Sequence, residues 1–97
     1  MRYELSERAR QDIKDIIRYT LERFGPQQAD EYADGLFYSF DLLTDNPRMG
    51  KAVLRQLGSD LRRYLFRSHY VIYEIREDVI RIAAIFNTRQ ELPEEWR

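Results

Sequence analysis

The sequence predicts an α+β domain of order βααβββ, in which a helical hairpin packs on a small antiparallel sheet. Two adjacent stretches in the first half repeat apolar residues at spacings of three and four, which is typical of amphipathic helices. Three segments of the second half, 61–67, 69–76 and 79–86, are rich in β-branched and aromatic residues, which favour strands. A chain of 97 residues is expected to form one domain, residues 1–97.

Residues 1–5 are the first predicted strand, and Ser6 is the predicted N-cap of the first helix, because its hydroxyl can accept from the free N–H groups of a first turn. Gly25 is expected to end that helix, and Pro26 suits the first position of the second helix. The apolar stripe of the first helix is Ala9, Ile13, Ile16, Ile17, Thr20, Leu21 and Phe24. The stripe of the second is Ala29, Tyr32, Ala33, Leu36, Phe37, Phe40 and Leu43.

After the helices, residues 44–50 (TDNPRMG) are predicted to form a loop. Residues 51–57 are predicted to form an irregular strand or an extended segment, and residues 58–60 a turn. Glu77 and Asp78 are predicted to form a tight hairpin turn between the last two strands. The sequence contains no repeat, linker or low-complexity segment.

Alternation along the last two strands assigns their side chains to two faces of the sheet. One face, expected to meet the helices, carries Val71, Tyr73, Ile75, Ile80, Ile82, Ala84 and Phe86. The other face is also apolar, with Tyr70, Ile72, Ala83 and Ile85. A sheet with helices on one side should be polar on the other. Either the curled sheet covers both faces itself, or a partner covers the second.

Composition excludes several classes of function. The chain has no cysteine, so neither a disulfide nor a thiolate metal site is possible, and one histidine makes a zinc site unlikely. The glycines are scattered and form no phosphate-binding loop, so we expect no metal and no cofactor. No apolar run is long enough to span a membrane, and no secretory core follows the N-terminus. The expected location is the cytoplasm.

Charge is unevenly distributed, although the formal net charge is −1. Residues 1–46 contain six basic and ten acidic residues, whereas residues 47–90 contain nine basic and four acidic residues. The arginines predicted on or beside the sheet are Arg62, Arg63, Arg67, Arg76, Arg81 and Arg89. With the interleaved aromatic residues they could contact phosphates or an acidic partner. Alternatively, several pair with Glu74, Glu77, Asp78 and the C-terminal acidic residues and only support the fold. The near-neutral total charge argues against nucleic acid as the main ligand.

No arrangement for nucleophilic catalysis surrounds His69, the one histidine of the chain. A lone histidine is more often structural than catalytic. We therefore predict no catalytic residues.

Several segments together resemble the ParE toxins of the RelE/ParE superfamily, which belong to type II toxin–antitoxin modules. These segments are SERARQDIKDIIRYTLERFG, the AxxY pattern at residues 29–32, LLTDNPRMGK, LRRYLFRSHYVIYEI and VIRIAAI. The resemblance covers nearly the whole chain and rests on their order and spacing. It implies two helices on an antiparallel sheet, in agreement with the pattern of the residues.

The resemblance also implies a function. ParE-like members poison DNA gyrase, whereas RelE-like members cleave mRNA in the ribosome, using basic residues of the sheet and usually a histidine or tyrosine near the end of the last strand. Here that strand ends in Phe86, Asn87 and Thr88, which provide no acid or base, although Arg63 and Arg81 could match nuclease arginines. The resemblance therefore favours a gyrase poison, without sequence-specific nucleic-acid binding. The alternatives are a ribosome-dependent mRNA endoribonuclease and an inactive homologue that acts as a binding module.

The expected partners are a ParD-like antitoxin and DNA gyrase. An antitoxin tail, disordered alone, is expected to fold over the second sheet face, at Tyr70, Ile72, Ala83 and Ile85. The target is expected to contact Arg62, Arg63, Arg67, Arg81 and Arg89.

Overall fold

The two predicted helices form a hairpin in this computed structural model, which describes residues 1–53 and 60–96. Helix α1 spans Glu7–Phe24 and helix α2 spans Pro26–Asp45. The Ser6 hydroxyl accepts a hydrogen bond from the Ala9 N–H at 2.9 Å, which satisfies a donor of the first turn. Gly25 adopts a φ of 93°, in the region where glycine avoids the clash of a Cβ atom. A single residue therefore separates the helices, as the sequence predicts.

Five strands form one sheet in the order β1-β5-β4-β3-β2. Their bounds are β1 Arg2–Leu5, β2 Lys51–Ala52, β3 Asp60–Phe66, β4 His69–Ile75 and β5 Val79–Asn87. The predicted α+β class is confirmed. The sheet is mixed, because β1 pairs with β5 in parallel while the other neighbours pair antiparallel. Strand β2 lies in the predicted irregular segment, residues 51–57. Residues 54–59, which hold four residues of that segment and most of the predicted turn at 58–60, lie outside the described residues.

An extra residue in β5 reverses the alternation near its end. Ala83 lies between two residues of β5 that pair with consecutive residues of β4. Such a bulge moves every later side chain of the strand to the other face. Ile85 was predicted for the second face and instead lies in the core beneath the helices, whereas Ala84 and Phe86 were predicted to meet the helices and lie on the opposite side. These three predictions were wrong because strict alternation assumes an uninterrupted ladder.

The main core lies between the helical hairpin and the sheet. It contains Ala9, Ile13, Leu36, Phe40, Leu43, Val71, Tyr73, Ile80, Ile82 and Ile85. Phe24, which was predicted in the apolar stripe of α1, is 54% exposed. Periodicity assigns a side chain to a face of a helix, but it does not show where the packing beneath that helix ends. Phe24 is the last residue of α1, and its ring lines a groove instead of the core.

The outer face of the sheet, which is the face turned away from the helices, carries a second apolar cluster. Its buried members are Val53, Leu61, Ile72, Ala84, Phe86 and Leu92. The Trp96 ring lies 5.4 Å from the Phe86 ring, and the Arg8 guanidinium lies 4.5 Å above the same ring. The segment after β5 therefore folds back over this face, which supports the first of the two alternatives, a chain that covers both faces of its own sheet.

Candidate functional site

The loop after α2 is held by two side chains of the sheet. The Tyr73 hydroxyl accepts a hydrogen bond from the Gly50 N–H at 2.9 Å and donates one to the Pro47 carbonyl at 2.7 Å. The Arg62 guanidinium donates to the carbonyl oxygens of Arg48 and Gly50, at 3.1 and 2.9 Å. A Cβ atom at Gly50 would lie only 2.5 Å from the Tyr73 hydroxyl, so this approach requires glycine. Arg62 thus supports the fold.

The five arginines predicted to contact a target do not form one surface. Arg62 lies opposite Tyr73, a residue of the main core, in the β3–β4 ladder, so its side chain is on the helix side of the sheet. Arg63 and Arg81 share the outer face. Arg67 lies in the β3–β4 turn with a positive φ of 48°, and Arg89 follows the end of β5. Of the five, only Arg63 and Arg81 therefore share one face of the sheet.

Neighbouring groups already engage several of these arginines. The Arg63 guanidinium lies 5.3 Å from the centre of the Tyr70 ring, a cation–π arrangement. Arg62 pairs with Asp60 at 2.9 Å, and Arg81 lies 3.7 Å from a carboxylate oxygen of Glu4. Arg62 and Arg81 therefore pair with carboxylates other than those predicted, whereas Arg76, the sixth arginine of the sheet region, pairs with Glu74 as the alternative expects.

The predicted antitoxin surface is only partly open. Ile72 is 0% exposed beneath the outer-face cluster, and Ile85 is 4% exposed in the main core. The prediction that these two side chains form open surface was wrong, because the bulge turns Ile85 towards the helices and the chain itself covers Ile72. Tyr70 and Ala83 remain half-buried at the edge of the outer-face cluster.

A groove lies between the second half of α1, the β3–β4 turn and the end of β5. This α1–β5 groove has a volume of about 770 Å³. Two exposed aromatic side chains line it, Tyr19 at 60% and Phe24 at 54% exposure, together with Ile16 and Ile85. Its polar residues include Arg23, Tyr32, Ser68, His69, Thr88 and Arg89. The sequence did not predict the groove, because the residues that line it come from four separate segments. Phe24 was predicted as part of the apolar stripe of α1.

A Tyr32–His69 pair forms one wall of the groove. The Tyr32 hydroxyl lies 2.5 Å from His69 Nδ1. Burial raises the pKa of Tyr32, while a hydrogen bond from the Ser68 backbone opposes that shift. We assign the Tyr32 hydroxyl as the donor to Nδ1, which leaves the proton of the neutral histidine on Nε2. Burial also lowers the pKa of His69, so both side chains are neutral at neutral pH.

The end of β5 carries hydrogen bonds that shape a turn. The Asn87 side-chain oxygen accepts from the Arg89 N–H at 2.8 Å, and the Asn87 N–H donates to the Gln90 side chain at 3.0 Å. Asn87 thereby caps the turn that places Arg89 at the groove. Within residues 1–53 and 60–96, no group of three histidine or acidic side chains is arranged to hold a metal ion.

A family model and individual relatives place the chain in the same protein family. The sequence model of the family described as "ParE toxin of type II toxin-antitoxin system, parDE" matches residues 3–92. Toxin ParE1 of Caulobacter vibrioides is 35% identical over 82 residues, which are 82% of this chain and 84% of that protein. Toxin ParE1 of Mycobacterium tuberculosis is 28% identical over 92 residues, which are 94% of this chain and 93% of that protein. The chain belongs to the ParE toxins of type II toxin–antitoxin systems.

A solved structure supports the fold independently. A chain from the structure entitled "Chromosomal ParDE TA system from P. aeruginosa" superposes with a TM-score of 0.74 over 90% of this chain and 95% of that chain. The two sequences are only 17% identical, so the likeness is one of fold. Neither α1 nor α2, the two α-helices of the described segments, is long and apolar enough to cross a membrane.

Proposed function

We propose that this toxin inhibits DNA gyrase by binding to it, without catalysing a reaction, and that a ParD-like antitoxin neutralises it in the cytoplasm. The observation that carries the proposal is the end of β5, where Asn87 caps a turn and Phe86 is packed under Trp96. General acid–base catalysis needs a titratable group within hydrogen-bond reach of the reacting atoms. Neither residue provides one.

The state of His69 also supports a toxin that acts by binding. Its Nδ1 is engaged by Tyr32, and burial disfavours its protonated form. It lies in the α1–β5 groove, whereas Arg63 and Arg81 lie on the outer face of the sheet. The histidine is therefore not placed to act with the arginines that an RNA-cleaving toxin would use.

The antitoxin partner is supported by family membership and by the ParDE title of the structural neighbour. Arg63, Arg67 and Arg89 are the predicted target contacts that the fold leaves without a carboxylate partner among the described residues. We retain them as candidate gyrase contacts, with Tyr70 and Ala83 as further candidates for partner contact.

A ribosome-dependent endoribonuclease is the second candidate, and one observation favours it. Tyr70 carries a phenol beside the Arg63 guanidinium, and Arg81 lies on the same face. A phenol and two arginines could supply a proton and stabilise charge in RNA cleavage. Two purified reactions separate the candidates.

The purified chain is added to a gyrase supercoiling reaction and, separately, to a reconstituted translation reaction. We expect supercoiling to stop and the mRNA to remain intact. Cleavage of mRNA that is lost in Arg63→Ala or Tyr70→Phe would establish the endoribonuclease instead. If neither reaction is affected while an antitoxin still binds, the chain is an inactive homologue that acts as a binding module.

A further inference from the structure

We propose that the α1–β5 groove is the docking site of an acidic, apolar-anchored segment of the antitoxin. This inference rests on the proposed antitoxin partner and specifies where and through which chemistry it binds. It replaces the outer face, where Ile72 is buried by the chain itself. Ile85, which is 4% exposed, belongs to the floor of the groove and no longer to the outer face.

The groove has an apolar surface that is open to a partner. Tyr19 and Phe24 expose more than half of their surface there, and Ile16 extends the apolar lining beneath them. Exposed aromatic side chains in a concave site are the residues that most often carry binding energy between proteins. Tyr38 is similarly exposed, at 63%, but it lies outside the groove and provides a comparison.

The charged side chains of the groove favour an acidic partner. The two carboxylates that line the groove each have a cationic neighbour within this chain. Asp12 accepts from the Ile85 N–H at 2.9 Å and lies 3.5 Å from Arg8, and Asp15 lies 3.5 Å from Arg18. The two guanidinium groups that line it, those of Arg23 and Arg89, form no ion pair with any other described residue.

The charge left unpaired in the groove is therefore positive. A partner segment with carboxylates beside an apolar anchor complements it. Arg89 is also a predicted target contact, so an antitoxin carboxylate on Arg89 would compete with the target for the same side chain.

Contacts within the chain hold the walls of the groove in place without a partner. Tyr32 ties α2 to the β3–β4 turn through His69, and the Arg67 guanidinium lies 5.8 Å from the Tyr32 ring. Asn87 fixes the turn that presents Arg89. A site formed in advance loses less conformational entropy on binding than one that must fold.

The test measures binding of the purified product of the adjacent gene, as the antitoxin, to variants of the full chain. We expect the double substitution Tyr19→Ala and Phe24→Ala to weaken binding at least roughly tenfold. Tyr38→Ala is the matched control and should bind like the wild type. Because all three side chains are exposed, the variants should keep the wild-type melting temperature, which thermal unfolding checks.

A second pair of variants tests the charge argument independently. Arg23→Glu with Arg89→Glu should weaken binding and reduce its dependence on salt, because the attraction between the groove and an acidic segment is lost. Lys14→Glu, an exposed charge reversal on α1 outside the groove, should have little effect.

Four outcomes would overturn the inference. If the aromatic and the arginine double variants both bind the antitoxin with wild-type affinity, the antitoxin docks on another surface, while the proposed function stands. Loss of gyrase inhibition in these variants with normal antitoxin binding makes the groove a target site. Self-association of the wild type that the aromatic variant abolishes assigns the groove to a second copy of the chain. If the wild type itself does not bind the adjacent gene product, the proposed partnership fails, and the docking site with it.

Discussion

At the scale of single residues, the structure separates side chains that support the fold from those left available for contact. Tyr32, Arg62 and Tyr73 each have their polar groups engaged across two elements of the chain. Segments that carry the resemblance to ParE toxins therefore include residues that hold loops and turns in place. Sequence alone could identify these residues by type and position, but it could not assign their partners, which lie up to 37 residues away in the chain.

The titration of His69 tests the environment of the groove wall. Burial lowers its pKa below the ordinary value of 6.5, so the unfolded chain binds the proton more tightly than the folded chain. The stability contribution of the neutral histidine is complete above pH 6.5 and is lost as the pH falls below that value. We expect NMR titration of this single histidine to give a pKa under 6.5, with Nε2 carrying the proton in the neutral form.

The control for this titration is His69→Gln, in which the corresponding loss of stability between neutral and mildly acidic pH should be smaller. A pKa at or above 6.5 would contradict the effect of burial on the ring, and a neutral form protonated on Nδ1 would contradict the assigned direction of the Tyr32–His69 hydrogen bond.

At the scale of elements, the sequence correctly predicted features that depend on neighbouring residues, but not features that depend on contacts between distant elements. The Ser6 cap, the single-residue link at Gly25 and the Glu77–Asp78 turn follow from nearby chemistry, and each is present. The bulge at Ala83 depends on how β5 meets both β4 and the start of α1, where the Ser6 hydroxyl donates to the Ala83 carbonyl. Such contacts do not alter the alternation of apolar and polar residues in the sequence. The side of the sheet on which the last side chains of β5 lie could therefore not be predicted.

The anchoring of the loop after α2 gives a prediction at this scale. Tyr73→Phe keeps the packing of the ring but removes the hydroxyl bonds to Gly50 and Pro47. The Gly50 N–H would then lack its partner in a buried site, so the free energy of unfolding should fall by about 1–3 kcal/mol. Tyr38→Phe, at an exposed position, should change it by less than about 0.5 kcal/mol. Equal stability of both variants in urea unfolding would show that the hydroxyl does not hold the loop.

The helical hairpin gives a second prediction, on which of its aromatic residues form the core. Phe40 is fully buried in α2, whereas Phe24 is largely exposed at the end of α1. Phe40→Ala should lower the free energy of unfolding by about 3–5 kcal/mol, because it leaves a cavity beneath the hairpin. Phe24→Ala should cost less than about 1 kcal/mol. A comparable loss in both variants, measured by thermal unfolding, would place Phe24 in the core after all.

At the scale of the whole molecule, the described residues form one apolar core beneath the helices and a second on the outer face, which the segment after β5 covers. The predicted fold class and family are confirmed, because helix periodicity, strand composition and the order of segments extend over most of the chain. The candidate site could not be predicted in the same way. Its residues come from the exposed part of α1 and from the ends of strands. Whether an aromatic residue of α1 is exposed depends on whether the sheet extends beneath it, and the sequence does not show that.

The toxin is proposed to act by occupying gyrase and not by turnover. The measurement that tests it most directly is a titration of the purified chain against a fixed concentration of gyrase, with supercoiling as the readout. An agent that acts by binding must reach at least one molecule per gyrase target site to stop all supercoiling, and addition of the antitoxin should restore activity. Complete loss of supercoiling at a ratio far below one chain per site, or no loss of supercoiling together with cleaved mRNA in translation, would contradict the claim.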